Sequence, residues 1–197
     1  MKSKTFFVTA PILLIVSVLS LPAYSLPIVW PVDDLTRVLP SDSPPPPSAL
    51  DLSILLSGAR GEFVSFGLAL CDDAPIFTLD TRISRLSCPE QQSVITAPST
   101  VRFARTVPVK ENTKRTPVEE LAFRAPADVP DPLMPEIPLP LPPNRVTLLW
   151  ITLQIPREAP VGRYTRTVTV TPRGRPVAIP LAVDIHDFEI PEERHLK

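Results

Sequence analysis

The chain has little glycine, few aromatic residues, two cysteines, two histidines and no excess of positive charge. In 197 residues there are 5 Gly, and aromatics make up 6%. No glycine-rich loop is present to cradle phosphates. There is no G-x-S-x-G nucleophile elbow and no H-E-x-x-H pair, so nucleotide-binding loops, serine-hydrolase elbows and zincin-type metal sites drop out. The 20 basic residues face 21 acidic ones. Without Lys2 and Lys4, 18 basic residues remain against 21, a net charge of −3. That balance offers no electrostatic field for nucleic acid or an anionic membrane surface. Proline, by contrast, is abundant at 28 residues. Each proline ring removes a backbone donor and clashes with a preceding helical turn, which excludes long helices.

The N-terminus reads as a targeting segment. Lys2 and Lys4 form a basic start, Phe6 to Leu21 is uncharged and apolar, and Ala23-Tyr24-Ser25 puts small residues at the positions a signal peptidase inspects. The run is shorter than the ~20 residues of a spanning helix and contains Pro11. The expectation is cleavage after Ser25, no stable membrane insertion afterwards, and export to the periplasm or the extracellular space. In an oxidising compartment, an even cysteine count predicts a bridge between Cys71 and Cys88; the alternative is two buried thiols that never meet. Neither cysteine has a His nearby in sequence, so neither reads as a nucleophile.

Period-two patterning dominates the remainder of the chain, and the stretch Arg145 to Phe188 carries it best. Tyr164, Val168 and Val170 share one face of a strand, and Thr165, Thr167 and Thr169 the other. Val177, Ile179, Leu181, Val183 and Ile185 alternate in the next. Pro160 and Gly162 fit one turn, and Arg173-Gly174 the next reversal. This predicts a three-stranded antiparallel meander that needs a second sheet to cover its apolar face. Pro180 donates no hydrogen bond, so it should face outward or lie on an edge.

The first half supplies the second sheet. Ile28 to Trp30 reads as an edge strand, and Pro44 to Pro47 as a stiff surface connection. Leu50, Leu52, Ile54 and Leu56 share one face, and Val64, Phe66, Leu68 and Leu70 another. With Gly58 to Gly61 between them, the pair reads as a hairpin. One strand is expected within Phe77 to Leu86 and one over Val101 to Val109. Lys110 to Arg124 reads as a loop or one helical turn, and proline-dense Ala125 to Pro143 as a long ordered loop. The organisation expected is a signal peptide over 1–25, an N-terminal strand and Pro-rich connection over 26–48, a β-sandwich over 49–191 and a tail over 192–197. The fold class is all-β, a two-sheet antiparallel sandwich of immunoglobulin-like or jelly-roll-like type.

Candidate chemistry is sparse. The acidic neighbours Asp33-Asp34, Asp72-Asp73, Glu119-Glu120 and Glu192-Glu193 point to opposite strand faces and read as solvated loops. Asp184 and His186 could share a face as metal ligands do, but no third ligand is in view. Trp30, Trp150 and Tyr164 could stack on a sugar; Trp150 and Tyr164 lie in core-patterned strands, which favours packing. No catalytic, metal or cofactor residue is assigned.

Four segments together carry a family resemblance: ARGEFVSFGLAL at Ala59 to Leu70, VPDPLMP at Val129 to Pro135, LLWITLQIPREAPVGRYTRTVTV at Leu148 to Val170, and VAIPLAVDIHDFEIPE at Val177 to Glu192. In this order they resemble the N-terminal β-sandwich of glycoside hydrolase family 123. The resemblance implies a sandwich that precedes a (β/α)8 barrel. In that family the barrel carries the acid and the stabilising carboxylate that cleave N-acetylhexosaminides. Only six residues follow Phe188-Glu189-Ile190-Pro191, so no catalytic residue carries over. The expectation is a non-catalytic accessory module contacting a glycan, a partner protein or a separately encoded barrel; the alternatives are a self-standing protein-binding domain or a truncated fragment. Phe188 and Ile190, at the crossing into the family's barrel, are expected to be exposed and partner-facing.

Overall fold

The computed structural model describes residues 25–33 and 35–191. The targeting segment before Ser25, Asp34, and the tail with Glu192-Glu193 lie outside the described residues. The chain forms a two-sheet β-sandwich. The first sheet runs β1 (Ile28–Val32), β3 (Phe63–Cys71), β9 (Thr147–Gln154), β7 (Ser99–Val109) and β8 (Ala127–Met134). The second runs β2 (Ile54–Arg60), β11 (Val177–Glu189), β10 (Gly162–Pro172), β5 (Leu86–Cys88) and β6 (Ser93–Ile95), with β4 (Leu79–Ile83) also on β10. Pairing is antiparallel except between β2 and β11, which run parallel.

The alternating apolar residues face one another across the gap. Phe66, Leu68 and Leu70 of β3 and Leu149, Ile151 and Leu153 of β9 meet Tyr164, Val168 and Val170 of β10 and the odd residues Ile179 to Ile185 of β11. Each large side chain buried there contributes roughly 1.5–3 kcal/mol. A smaller cluster lies on the outer side of the first sheet, where Val32, Val38, Ala69 and Val146 pack with Trp30 and Cys71.

Two expected connections are corrected. β2 and β3 are not a hairpin: β2 pairs with β11, β3 with β1 and β9, and the chain changes sheets at Gly61-Glu62. The strand begins at Ile54, and Gly58 and Ala59 are buried within it rather than forming a turn. Gly61 takes φ of +81°, and its amide donates to the Ile155 carbonyl at 3.0 Å. Likewise, β9, β10 and β11 are not a meander. Only β10 and β11 pair; β9 belongs to the opposite sheet, and the segment before Gly162 crosses the sandwich. The β10–β11 reversal has Arg173 and Gly174 at φ of +52° and +73°, the conformation that suits a tight hairpin turn.

The proline-dense segment is also more regular than a loop. Its first part, β8, pairs with β7 at the end of the first sheet, where Pro130 and Pro132 need no second neighbour. Pro180 behaves as required. Its partner Thr167 directs its amide and carbonyl to Ser84, away from β11, so the Pro180 nitrogen faces the β2 side, where pairing begins one residue later, at Leu181↔Ile54.

Candidate functional site

The site of most interest is the face where the chain leaves the second sheet. β11 outruns its core-facing part: after Ile185 every residue to Pro191 is exposed. Its pairing with β2 shifts between Ile185↔Gly58 and Glu189↔Arg60, so four steps of β11 are matched against two of β2. That irregularity bends the strand and turns a new set of side chains outward. His186 bonds Ser57 Oγ through Nε2 at 2.7 Å and stacks on Phe188, with ring centroids 6.0 Å apart and planes 10° from parallel.

The backbone here is held on both sides. The Ile190 amide donates to the Arg60 carbonyl at 2.9 Å, and Arg157 Nη1 donates to the Ile190 carbonyl at 2.8 Å and to Glu189 Oε1. Arg60 reaches Asp187 at 3.5 Å. On this frame Phe188 and Ile190 remain 55% and 41% exposed. Leu55 of β2, opposite Ala182, and Phe63 of β3 in the other sheet are also exposed apolar residues. Beside them a groove of about 760 Å³ opens between the edge strands of the two sheets, lined among others by Pro31, Asp51, Leu55, Phe63 and Trp150. Asp51 there accepts from the Ser53 hydroxyl and amide at 2.6 and 2.9 Å, which lowers its pKa.

The other sequence candidates fall in separate places. The Cys71–Cys88 bridge is corrected: both cysteines are free thiols. Strand parity keeps them apart. Leu68 and Leu70 point into the sandwich, so Cys71 packs on the outer cluster of the first sheet, whereas Cys88 lies in the core against the second. Burial first, and then the neighbouring Asp72 charge, pushes the Cys71 thiol up.

Asp184 is taken by Arg163, whose Nε and Nη2 donate to its two oxygens at 2.7 and 2.6 Å. Among the described residues, no group of three His, Cys, Asp or Glu side chains is placed to hold a metal. Asp72 is not a solvated loop residue: it is buried and ion-paired with Arg173 at 3.0 Å. Tyr164 is fully buried, while Trp30 and Trp150 are half-buried on the outer side of the first sheet. Missed from the sequence were the arginines that fix the exit face, Arg60 and Arg157. Their only signal was position: both flank the segments where the chain changes sheets.

With this geometry in place, comparison with known proteins identifies the fold's lineage. Residues 41–172 match the glycoside hydrolase 123 N-terminal domain. The chain belongs to that family, and the matched region is its N-terminal domain, not its catalytic domain. Among solved structures, a family 123 glycoside hydrolase from Clostridium perfringens, studied for glycolipid glycan hydrolysis, superposes with a TM-score of 0.70 at 13% identity. The match covers 85% of this chain and 28% of that enzyme, so the chain spans under a third of its length. The CooA pilin subunit of enterotoxigenic Escherichia coli gives a TM-score of 0.36 at 11% identity, covering 83% of this chain and 99% of the pilin. No curated protein sequence matches.

Proposed function

We propose that this chain is an exported, non-catalytic accessory sandwich that docks a glycosidase-type catalytic domain through its exit face. The observation that carries the reading is the pair Phe188 and Ile190: exposed apolar side chains on a strand whose backbone Arg60 and Arg157 already hold in place. A rigid, partly apolar surface loses little conformational freedom when covered, which favours docking. Membership of the family supplies the kind of partner, since the solved relative carries this sandwich within a much longer glycan-hydrolysing enzyme. The module itself contributes support rather than chemistry: the acids of the exit face, Asp187 and Glu189, are engaged by arginines. Export rests on the basic start, the apolar run and the small residues before Leu26.

The test has two parts. The purified chain should show no turnover of aryl N-acetylhexosaminides. Mixed with a family 123 catalytic domain produced without its own sandwich, it should co-elute on gel filtration, and Phe188→Ser with Ile190→Ser should abolish that. Turnover that follows the chain through purification and is lost on replacing one carboxylate would overturn the accessory role. Co-elution unaffected by the double substitution would overturn the docking face.

A further inference from the structure

The inner face of β10 contains one residue of the wrong kind. Tyr164, Val168 and Val170 fill the core, and between them Arg166 points the same way with only 8% of its surface exposed. The neighbouring strands β4 and β5 of the same sheet leave room for it. Ile83 pairs with Val168, but Ser87 rather than Leu86 pairs with Thr165, so one extra residue is accommodated at Ser84-Arg85 and the strand bulges there. Arg166 Nη2 donates to the Ser84 carbonyl exposed by that bulge. Nη1 donates at 3.2 Å to the hydroxyl of Ser99 from the opposite sheet, and that hydroxyl in turn donates a hydrogen bond to the Ala97 carbonyl at 3.0 Å.

These acceptors are neutral. Among the described residues no carboxylate pairs with Arg166, and its Nε is buried without a partner. Burial draws its pKa down to about 10, which leaves the guanidinium charged at neutral pH. A second orphan belongs to the neighbouring strand β4, opposite Val170: the Thr81 hydroxyl is buried and unpartnered too. Both residues line one cavity of about 340 Å³ with Ser84, Ser99, Thr96 and the exposed Arg85. No acidic side chain lines it. A buried cation without a counter-charge is costly, and an anion is the group that offsets the cost.

We propose that this cavity is a carboxylate-binding site, with Arg166 as its fixed cation, Thr81 as a hydroxyl donor and Arg85 as a second cation at its mouth. A guanidinium presents donors in a planar fork that matches the two oxygens of a carboxylate. The volume admits a small organic acid or the carboxylate of an acidic sugar. The site lies apart from the exit face, and its test does not depend on any catalytic partner.

The experiment titrates the purified chain with sodium acetate and with sodium glucuronate against sodium chloride at equal ionic strength. It follows the Arg166 Nε–H signal by NMR together with Tm. A saturable shift of that signal and a Tm rise with carboxylate beyond chloride are expected. Glucuronate binding at least about tenfold tighter than acetate assigns the carboxylate to a sugar, and acetate binding equally well or better assigns it to a small free acid. Thr81→Val preserves shape and should weaken binding by about tenfold, the loss of one hydrogen bond to a charged group. Arg166→Gln should abolish it. The proposal is overturned if neither carboxylate exceeds chloride, which would mean a cavity holding water alone. It is equally overturned if Thr81→Val binds as the original chain does, a result readable even where Arg166→Gln fails to fold.

Discussion

Asp72, just past the end of β3 in the first sheet, is gripped by Arg173 from the β10–β11 turn of the second, with Nη1 at 3.1 and 3.0 Å from its two oxygens. The Asp72 carboxylate is buried and also accepts from the Ala74 amide at 3.1 Å, while its carbonyl accepts from Asn144 at 2.7 Å. One residue therefore ties both sheets and a loop together at one end of the sandwich. Removing one partner of a buried pair leaves the other desolvated and uncompensated. Asp72→Ala should cost about 2–4 kcal/mol, below the full buried-pair penalty because Arg173 keeps some contact with water. Thermal unfolding should show Tm lowered by roughly 5–15 °C. A change of under about 2 °C would show that the clasp contributes little.

The Arg163–Asp184 pair lies across the β10–β11 hairpin on its outer face, and it predicts a pH dependence. Hydrogen bonding to Arg163 holds the Asp184 carboxyl below its ordinary value of 3.8. A depressed carboxyl stabilises the fold above its unfolded-state pKa, and that contribution is lost as pH falls through the folded-state value. Asp184→Asn should therefore lower Tm slightly at pH 7, by no more than about 3 °C for a solvent-facing pair. Below about pH 4 the difference from the original chain should shrink and then vanish. A gap that widens on acidification would contradict this.

The thiols give a chemical test. Denatured protein should titrate with two free thiols, and adding reductant should leave Tm unchanged. In the folded state Cys71 should react slowly at pH 8, because burial and Asp72 disfavour its thiolate. Finding no free thiol in denatured, unreduced monomer would restore the Cys71–Cys88 bridge and refute the placement of Cys71 outside the core.

These residues also show what the sequence could and could not reveal. Alternation states which side chains face the core, and it did so for β3, β10 and β11. Followed one residue further along β3, it would have put Cys71 on the outer face and excluded the bridge. Applied without exception to β10, it would have put Arg166 inside. Alternation says nothing of which strand lies alongside. A strand pair that closes a hairpin and one that crosses between sheets have the same apolar period, and Gly61 suits either reversal. That is why β2–β3 and β9–β10 were expected as neighbours when each straddles the gap. The ion pairs of the exit face were hidden for a related reason: Arg60, Arg157, Asp187 and Glu189 come from three distant segments, brought together by the parallel β2–β11 pairing and by the backbone bonds between Gly61-Glu62 and Ile155. The edge strand β8 was masked by its own prolines, which forbid a central strand but allow one at the rim.

Phe188 and Ile190 allow the docking surface to be separated from the domain's own core. Both have apolar side chains facing solvent, and what fixes the strand is backbone: Ile190 donates to Arg60 and accepts from Arg157. Those bonds survive any change of side chain. Replacing both residues with Ser removes only the stacking of Phe188 on His186 and partial burial, a surface change expected to lie within about 0.5 kcal/mol per site. Tm should move by less than about 4 °C. Leu181→Ala serves as the internal standard, since Leu181 is fully within the core and its truncation should cost roughly 2–5 kcal/mol. If the double Ser variant unfolds as readily as Leu181→Ala, the two side chains belong to the sandwich's own stability and the surface has no apolar area to offer. If it keeps its Tm and no longer co-elutes with the catalytic domain, the exposed pair acts in association, and the bend after Ile185 is the feature that presents it.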